Sequence, residues 1–317
     1  MHSDRKALQT ARSFRQSVLT MKKRIVFIIN PISGTRHSDD IESIVRKELS
    51  ADVFDIVFRY TEHQGHGGEI AAEAVRDGVD IVAAVGGDGT INEVASQLVG
   101  TGTALAVVPH GSGNGLAYHL HIPINLKKSI KIISNLNIID IDTCLVNGRH
   151  FFSIAGIGFD AKVAYDFSKD VRRGFQNYLK YIVRNFFTYR TAKYHIETKE
   201  QNFDTEAFFI TFANSSQWGY NIKIAPQASV QDGKLNLCIC HRPLFLKMLN
   251  IDLPFLLSDH FDKSTLVRYV ECEKAVITSR DGKPIYLHID GDAAGLTDTV
   301  TLEVLPKSLK TIIPLFV

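Results

Sequence analysis

The sequence predicts an α/β domain built on a parallel sheet, followed by a β-rich domain. Three observations carry this reading. From Arg24 to about Asp140, short apolar runs alternate with amphipathic segments at the lengths of strands and crossover helices. Four of those runs end in polar loops that contain glycine. After Asp140 the rhythm changes to closely spaced strand-like runs divided by turn signals.

Composition sets the outer limits. The chain has 317 residues, 45% hydrophobic and 22% charged, which suits a globular protein of about two domains. A net charge of +2 and the lack of any basic stripe interleaved with aromatics argue against nucleic acid as a partner. The four cysteines form no CxxC pair, which points to a reducing cytoplasm without structural zinc. The twelve histidines form no HExxH pattern. The most apolar stretch, Pro243 to Phe261, is broken by Lys247, Asp252 and Pro254 before the ~20 apolar residues of a membrane span accumulate. Residues 1–21 form a leader without the apolar core of a signal peptide, and Arg5, Lys6, Arg12 and Arg15 oppose Asp4 alone there. Three readings stand for it: a structureless extension, a start codon assigned too early, or a basic arm that touches anionic lipid at the inner membrane face.

The strands of the first half are read at Arg24–Asn30, Phe54–Tyr60, Ile81–Val85 and Ala104–Val108, with helices over Asp39–Leu49 and Gly68–Arg76 among those between them. An open α/β domain of this kind, over 22–142, binds ligands at the carboxyl ends of its strands. In the second half, over 143–299, Asn147-Gly148 between two apolar runs predicts a hairpin. Further strands are read at "AKYHIET", "EAFFITFAN", "KLNLCIC", "KAVITS" and "PIYLHID". One helix interrupts them, and its stripe of Phe175, Tyr178, Leu179, Ile182 and Phe186 is read as core. The closing segment 300–317 either finishes the β half or returns to the first domain.

The chemistry concentrates in "AAVGGDGTINEV". A fully apolar strand stops at Gly86, and Thr90 with Glu93 matches a capping box, so a helix is expected to start near Ile91. Its first-turn N–H groups make an anion site without any lysine, and the Walker A pattern GxxxxGK[ST] is absent. A second loop, "PHGSGNGLA", repeats the character, with Gly111, Gly113 and Gly115 around Ser112 and Asn114. "NPISG" follows the first strand, and Thr61 with "TEHQGHGGE" follows the second. Two glycine-rich strand-to-helix turns in neighbouring units imply a long phosphorylated ligand across both. Asp88 is the misfit, because a carboxylate repels phosphate unless Mg²⁺ or a hydroxyl proton stands between them.

"GGDGTINEV", with "NPISG" before it and "PHGSGNGLA" after it, resembles the diacylglycerol kinase catalytic-domain family, which includes sphingosine and ceramide kinases and bacterial lipid kinases. "AGIGFDAKVA", "IAPQASVQDGKLNL" and "LHIDGDA" follow in family order, so the resemblance runs from about Met21 onward. It implies an NAD-kinase-like α/β domain and a β-sandwich-like lipid-binding domain, with ATP and Mg²⁺ in the cleft between them. Carried over by position, Asn30, Pro31, Ser33, Gly34, Thr61, Gly87, Asp88, Gly89, Thr90, Asn92, Glu93 and Ser112 would contact nucleotide. The reaction implied moves the γ-phosphoryl group of ATP to a lipid hydroxyl at a membrane surface.

"LHIDGDA" resembles the family's DGE motif, which makes Asp292 the proton acceptor, with Asp290 and Asp88 completing the catalytic set. Aspartate is one methylene shorter than the family's glutamate, so Asp290 stands as the alternative base or as a Mg²⁺ ligand. Asp-Gly is also a plain turn signal. "ASVQDGKLNL" resembles the segment that holds a structural Mg²⁺, through the Asp232 side chain and the Ser229 and Lys234 carbonyls, and a hairpin turn is the alternative. Asp160 matches a family position or caps a helix. An NAD kinase or a sugar kinase with the same GGDG loop, and a nucleotide-binding regulator without catalysis, are the competing functions. A homodimer through the β half is compatible with the sequence.

Overall fold

The computed structural model describes residues 22–34, 41–170, 175–219, 222–242 and 264–315. The leader 1–21 and the apolar stretch 243–261 lie outside them. Strands β1 (Lys23–Ile29), β2 (Phe54–Tyr60), β3 (Ile81–Gly86) and β4 (Ala104–Pro109) pair in parallel in the order 2-1-3-4. Helices α1 (Ile41–Glu48), α2 (His66–Arg76), α3 (Asp88–Leu98), α4 (Gly115–His119) and α5 (Leu126–Ile133) connect or follow them. Every residue of β3 is buried, as its unbroken apolar run requires of a central parallel strand. Because β2 lies on one side of β1 and β3 on the other, the chain changes direction there, and a crevice opens at those strand tips.

β5 (Ile138–Val146) and β6 (Arg149–Phe151) form the predicted hairpin. Its turn holds Asn147 at φ 49° and Gly148 at φ 76°, the left-handed pair that Asn-Gly adopts most easily. The rest of the chain runs β7 (Ile154–Gly158), α6 (Phe159–Ser168), α7 (Phe175–Thr188), β8 (Ala192–Thr198), β9 (Asn202–Ala207), β10 (Phe209–Ala213), β11 (Gln217–Gly219), β12 (Ile222–Lys223) and β13 (Leu235–Cys240). It closes with β14 (Val267–Cys272), β15 (Lys274–Ser279), β16 (Ile285–Ile289), β17 (Asp292–Thr297) and β18 (Thr299–Ile312). A six-stranded sheet, β14-β13-β10-β7-β16-β17, faces the β5, β8, β15 and β18 part of a ten-stranded sheet. Ile157, Ile196, Phe212, Leu237, Ile277 and Leu302 fill the layer between them. The outer face of the six-stranded sheet packs against α6 and α7 through Phe159, Val163, Phe208 and Phe209.

Two expectations are corrected. The run "EAFFITFAN" is two strands, because the chain leaves the ten-stranded sheet after β9 and enters the six-stranded one at β10. Phe208 turns that corner fully buried, so the apolar pattern continues through the break. The stripe on α7 is only partly core: Ile182 and Phe186 pack inward, whereas Leu179 is 46% exposed.

The closing segment does both things left open for it. β18 pairs with β15 and β5 in the sandwich, then with the start of β5 and, through Thr311 opposite Leu105, with β4 of the parallel sheet. A bulge between Leu305 and Leu309, with Lys307 at φ 49°, bends the strand between the two regions. Asp142 holds that bend. Its carboxylate is fully buried and accepts the Lys307 N–H at 2.7 Å and the Gly233 N–H at 2.7 Å. Asp142→Ala removes a buried carboxylate that accepts two N–H groups and is expected to destabilise the protein by about 3 kcal/mol. Urea unfolding checks this, and an unchanged midpoint would rule out the clamp.

Candidate active site

Helix α3 begins at Asp88, immediately after β3, and not near Ile91. Its N-cap is Gly87, so Thr90 and Glu93 already lie inside the helix and do not form a capping box. They pin neighbouring loops instead. The Asn30 amide donates to Thr90 Oγ1 at 3.0 Å, and the Gly65 N–H donates to Glu93 Oε1 at 2.7 Å. The loops after β1 and β2 are thereby tied to the first two turns of α3. Within the first loop, Asn30 Oδ1 accepts the Ile32 N–H at 3.1 Å and the Ser33 hydroxyl donates to the Asn30 carbonyl at 2.8 Å. Pro31 and Gly34 are exposed in that loop, as Ser112 is in the second glycine loop. Thr61 follows the tip of β2, its N–H bonded to the Ile29 carbonyl.

Asp88 has its own explanation in the next loop. Its two carboxylate oxygens accept the Asn114 N–H at 2.7 Å and the Gly115 N–H at 2.8 Å. These are the first N–H groups of α4, so the aspartate of one glycine loop occupies the helix terminus of the other. The approach demands glycine: a Cβ at Gly111 would lie 2.4 Å from the Gly87 Cα, and one at Gly113 would lie 2.6 Å from Asp88 Oδ2. Burial, and then the nearby Asp290 carboxylate, raise the Asp88 pKa to about 6.

Asp290 at φ 44° and Gly291 at φ 88° form the two-residue turn between β16 and β17, and Asp292 is the first residue of β17. The turn reading of Asp-Gly is therefore correct in shape. Asp290 Oδ1 accepts the N–H groups of Ser153 at 2.9 Å and Ile154 at 3.1 Å, and Oδ2 accepts the Phe152 N–H at 3.1 Å and the Asn92 amide at 2.7 Å. Four donors enclose this carboxylate, so both of its oxygens are engaged within the protein. Burial raises its pKa as well. Asp292 is exposed, and its Oδ2 leans over the first turn of α3, where a Cβ at Gly89 would come within 2.8 Å of it.

Further contacts join the two halves beside this cleft. His119 Nδ1 accepts the Ser216 N–H at 3.2 Å, and burial holds its pKa down to about 4, so the ring is neutral. Ser229, Asp232 and Lys234 lie on the turn before β13, where Asp232 Oδ1 accepts the Lys234 N–H at 3.0 Å. Burial, with Asp142 as a neighbouring carboxylate, raises the Asp232 pKa. Among the described residues, His63, His66 and Glu69 bring potential ligand atoms within 4.8 Å of one another. His66 Nδ1 accepts the Glu62 N–H, however, the reverse of the donation by which a metal-bound histidine is held. Sequence reasoning missed the backbone N–H donors of Phe152–Ile154 and the buried Asp142, since a backbone N–H and a lone aspartate leave no motif.

Residues 24–146 match the profile of the family described as the diacylglycerol kinase catalytic domain, and residues 153–313 match the YegS C-terminal NAD kinase beta sandwich-like domain. The chain belongs to the diacylglycerol kinase catalytic-domain family. It is a phosphotransferase of the lipid-kinase type, with an alcohol group as acceptor. It is 26% identical over 281 residues to a diacylglycerol kinase of Bacillus subtilis, covering 86% of this chain and 91% of that one. It is 31% identical over 198 residues to a protein of Salmonella typhimurium named "Probable lipid kinase YegS", covering 60% of this chain and 66% of that one. A crystal structure of a Bacillus anthracis diacylglycerol kinase shares the fold, with a TM-score of 0.70, 20% identity, and coverage of 92% of this chain and 97% of that one. Among the described residues no helix is long and apolar enough to cross a membrane.

The raised Asp88 pKa has a signed consequence for stability. The folded value of about 6 lies above the ordinary aspartate value of 3.8, so the folded state holds the proton more tightly. This contribution to stability is complete below about pH 4 and is lost as pH rises through 6. Carbon-13 titration of the Asp88 carboxyl is expected to show a midpoint near 6. A midpoint at the ordinary carboxylate value would refute the enclosure of this group.

Proposed function

We propose that the protein transfers the γ-phosphoryl group of ATP to the hydroxyl of diacylglycerol or a related lipid. The observation that carries this is the Asp292 carboxylate over Gly89, beside a helix terminus open to phosphate. In this reading the phosphates lie along the loops after β1, β3 and β4, where the N–H groups of the first turn of α3 have no partner within the helix. Asn30, Ser33, Gly34, Thr61, Gly87, Gly89, Thr90, Glu93 and Ser112 shape or line that ledge. The lipid oxygen attacks the γ-phosphorus, the bond to the β-phosphate oxygen breaks, and Asp292 takes the hydroxyl proton.

Mg²⁺ bound with the phosphates supplies neutralisation of their charge. Asp88 suits it, because each of its oxygens retains a lone pair and its charge is otherwise repelled by Asp290. The site on the turn before β13 would hold a structural Mg²⁺ through Asp232 and the Ser229 and Lys234 carbonyls, with Asp142 as a second nearby carboxylate. The lipid would be drawn from a membrane surface by a protein that docks on it from the cytoplasmic side.

Asp292→Ala is expected to lower kcat by roughly 10² to 10⁴ with little change in the KM for ATP. Turnover at the unmodified rate would remove Asp292 from the chemistry. The decisive assay offers labelled ATP with diacylglycerol, sphingosine, ceramide, undecaprenol and NAD. Label in a lipid is the expected result, and label in NAD alone would overturn the lipid assignment.

A further inference from the structure

Asn92 stands within the segment that the family resemblance assigns to nucleotide, yet its side chain is engaged across the seam between the two halves. Its amide nitrogen donates to Asp290 Oδ2 at 2.7 Å and to the His150 carbonyl at 3.0 Å. A primary amide has two hydrogens, and both are accounted for by the β half of the molecule. Of the four donors around Asp290, Asn92 is the one that comes from α3.

We infer that Asn92 is a positioning residue: the strut between α3 and the β16–β17 turn that fixes where Asp292 stands over Gly89. Asn92 lies three residues after Gly89 and four after Asp88, so all three share one face of the helix. The turn is therefore held at two points one helical turn apart, by the Asn92–Asp290 bond and by the approach of Asp292 to Gly89. With Asn92 removed, Asp290 still holds the Phe152–Ile154 backbone, but the turn loses its link to α3. Asp292 then keeps its place within the β half and loses its register against the phosphate ledge. The catalytic consequence rests on the kinase reading given above, whereas the strut is a property of the fold.

The test is a double-mutant cycle on full-length protein, using Asn92→Ala, Asn92→Asp, Asp290→Asn and the exchange Asn92→Asp with Asp290→Asn. Asn92→Ala is expected to lower kcat by about 10²-fold, the usual effect of misplacing a reacting group by about 1 Å, with the KM for ATP within about threefold of the unmodified protein. Asn92→Asp sets two carboxylates against each other and is expected to lose more. The exchange restores an amide–carboxylate contact with the roles reversed, and is expected to recover kcat by about tenfold over Asn92→Asp. A rise in the KM for ATP with kcat intact in Asn92→Ala would make Asn92 a nucleotide ligand and overturn the inference. Urea midpoints of the same proteins read the strut without activity: non-additive midpoints support it and additive ones sink it. If the unmodified protein phosphorylates no lipid, the kinase reading fails, and the urea cycle still decides the strut.

Discussion

A carboxylate among glycines is the constraint on which the site depends. Asp88 accepts two N–H groups from the start of α4, and this contact sets the separation of the two glycine loops. Backbone must come close to its neighbours for the bond to form, which is why Gly111 and Gly113 carry no side chain at the points of contact. Asn114 meets the same demand by adopting φ 55°. The result is an asymmetric ledge. The terminus of α4 is already occupied by an internal anion, so the terminus of α3 is the one left to attract an external one.

The same device recurs elsewhere. Asp290 gathers N–H donors from three successive residues and an amide from α3, and Asp142 gathers two from segments distant in sequence. None of these bonds comes from a lysine or arginine side chain. Neutral donors satisfy a carboxylate without cancelling its charge, so Asp88 and Asp290 continue to repel each other, and both are harder to ionise than an ordinary aspartate. The cleft thus concentrates negative potential where a cation-bound phosphate is proposed to sit, and each carboxylate is held by geometry that a single backbone shift would disturb.

Much of this was legible in the sequence. The four parallel strands follow from apolar runs of strand length, and the hairpin at Asn147-Gly148 follows from the left-handed preference of those two residues. What failed was local pattern without context. Thr90 and Glu93 have the spacing of a capping box, but the helix starts earlier because β3 and α3 are joined almost without a loop, and both side chains are used for tertiary bonds. The corner at Phe208 was hidden because burial on both sides of a sheet change looks like one continuous strand. Asp290 shows the limit of choosing between a turn and a functional residue, since it is a turn by backbone angle and a hub by its oxygens. Asp142 had no pattern around it at all.

The path of β18 bears on how the protein comes into being. Its last residues lie beside β4, whose own strand is complete some two hundred residues earlier in the chain, and its first residues close the sandwich. During synthesis the parallel sheet therefore waits, with one flank of β4 uncovered, until nearly all of the β half has been made. The two halves cannot mature one after the other as independent beads on a string. An uncovered central strand is a template for wrong pairing, so the growing chain passes through a long interval of vulnerability that ends only when one late strand arrives.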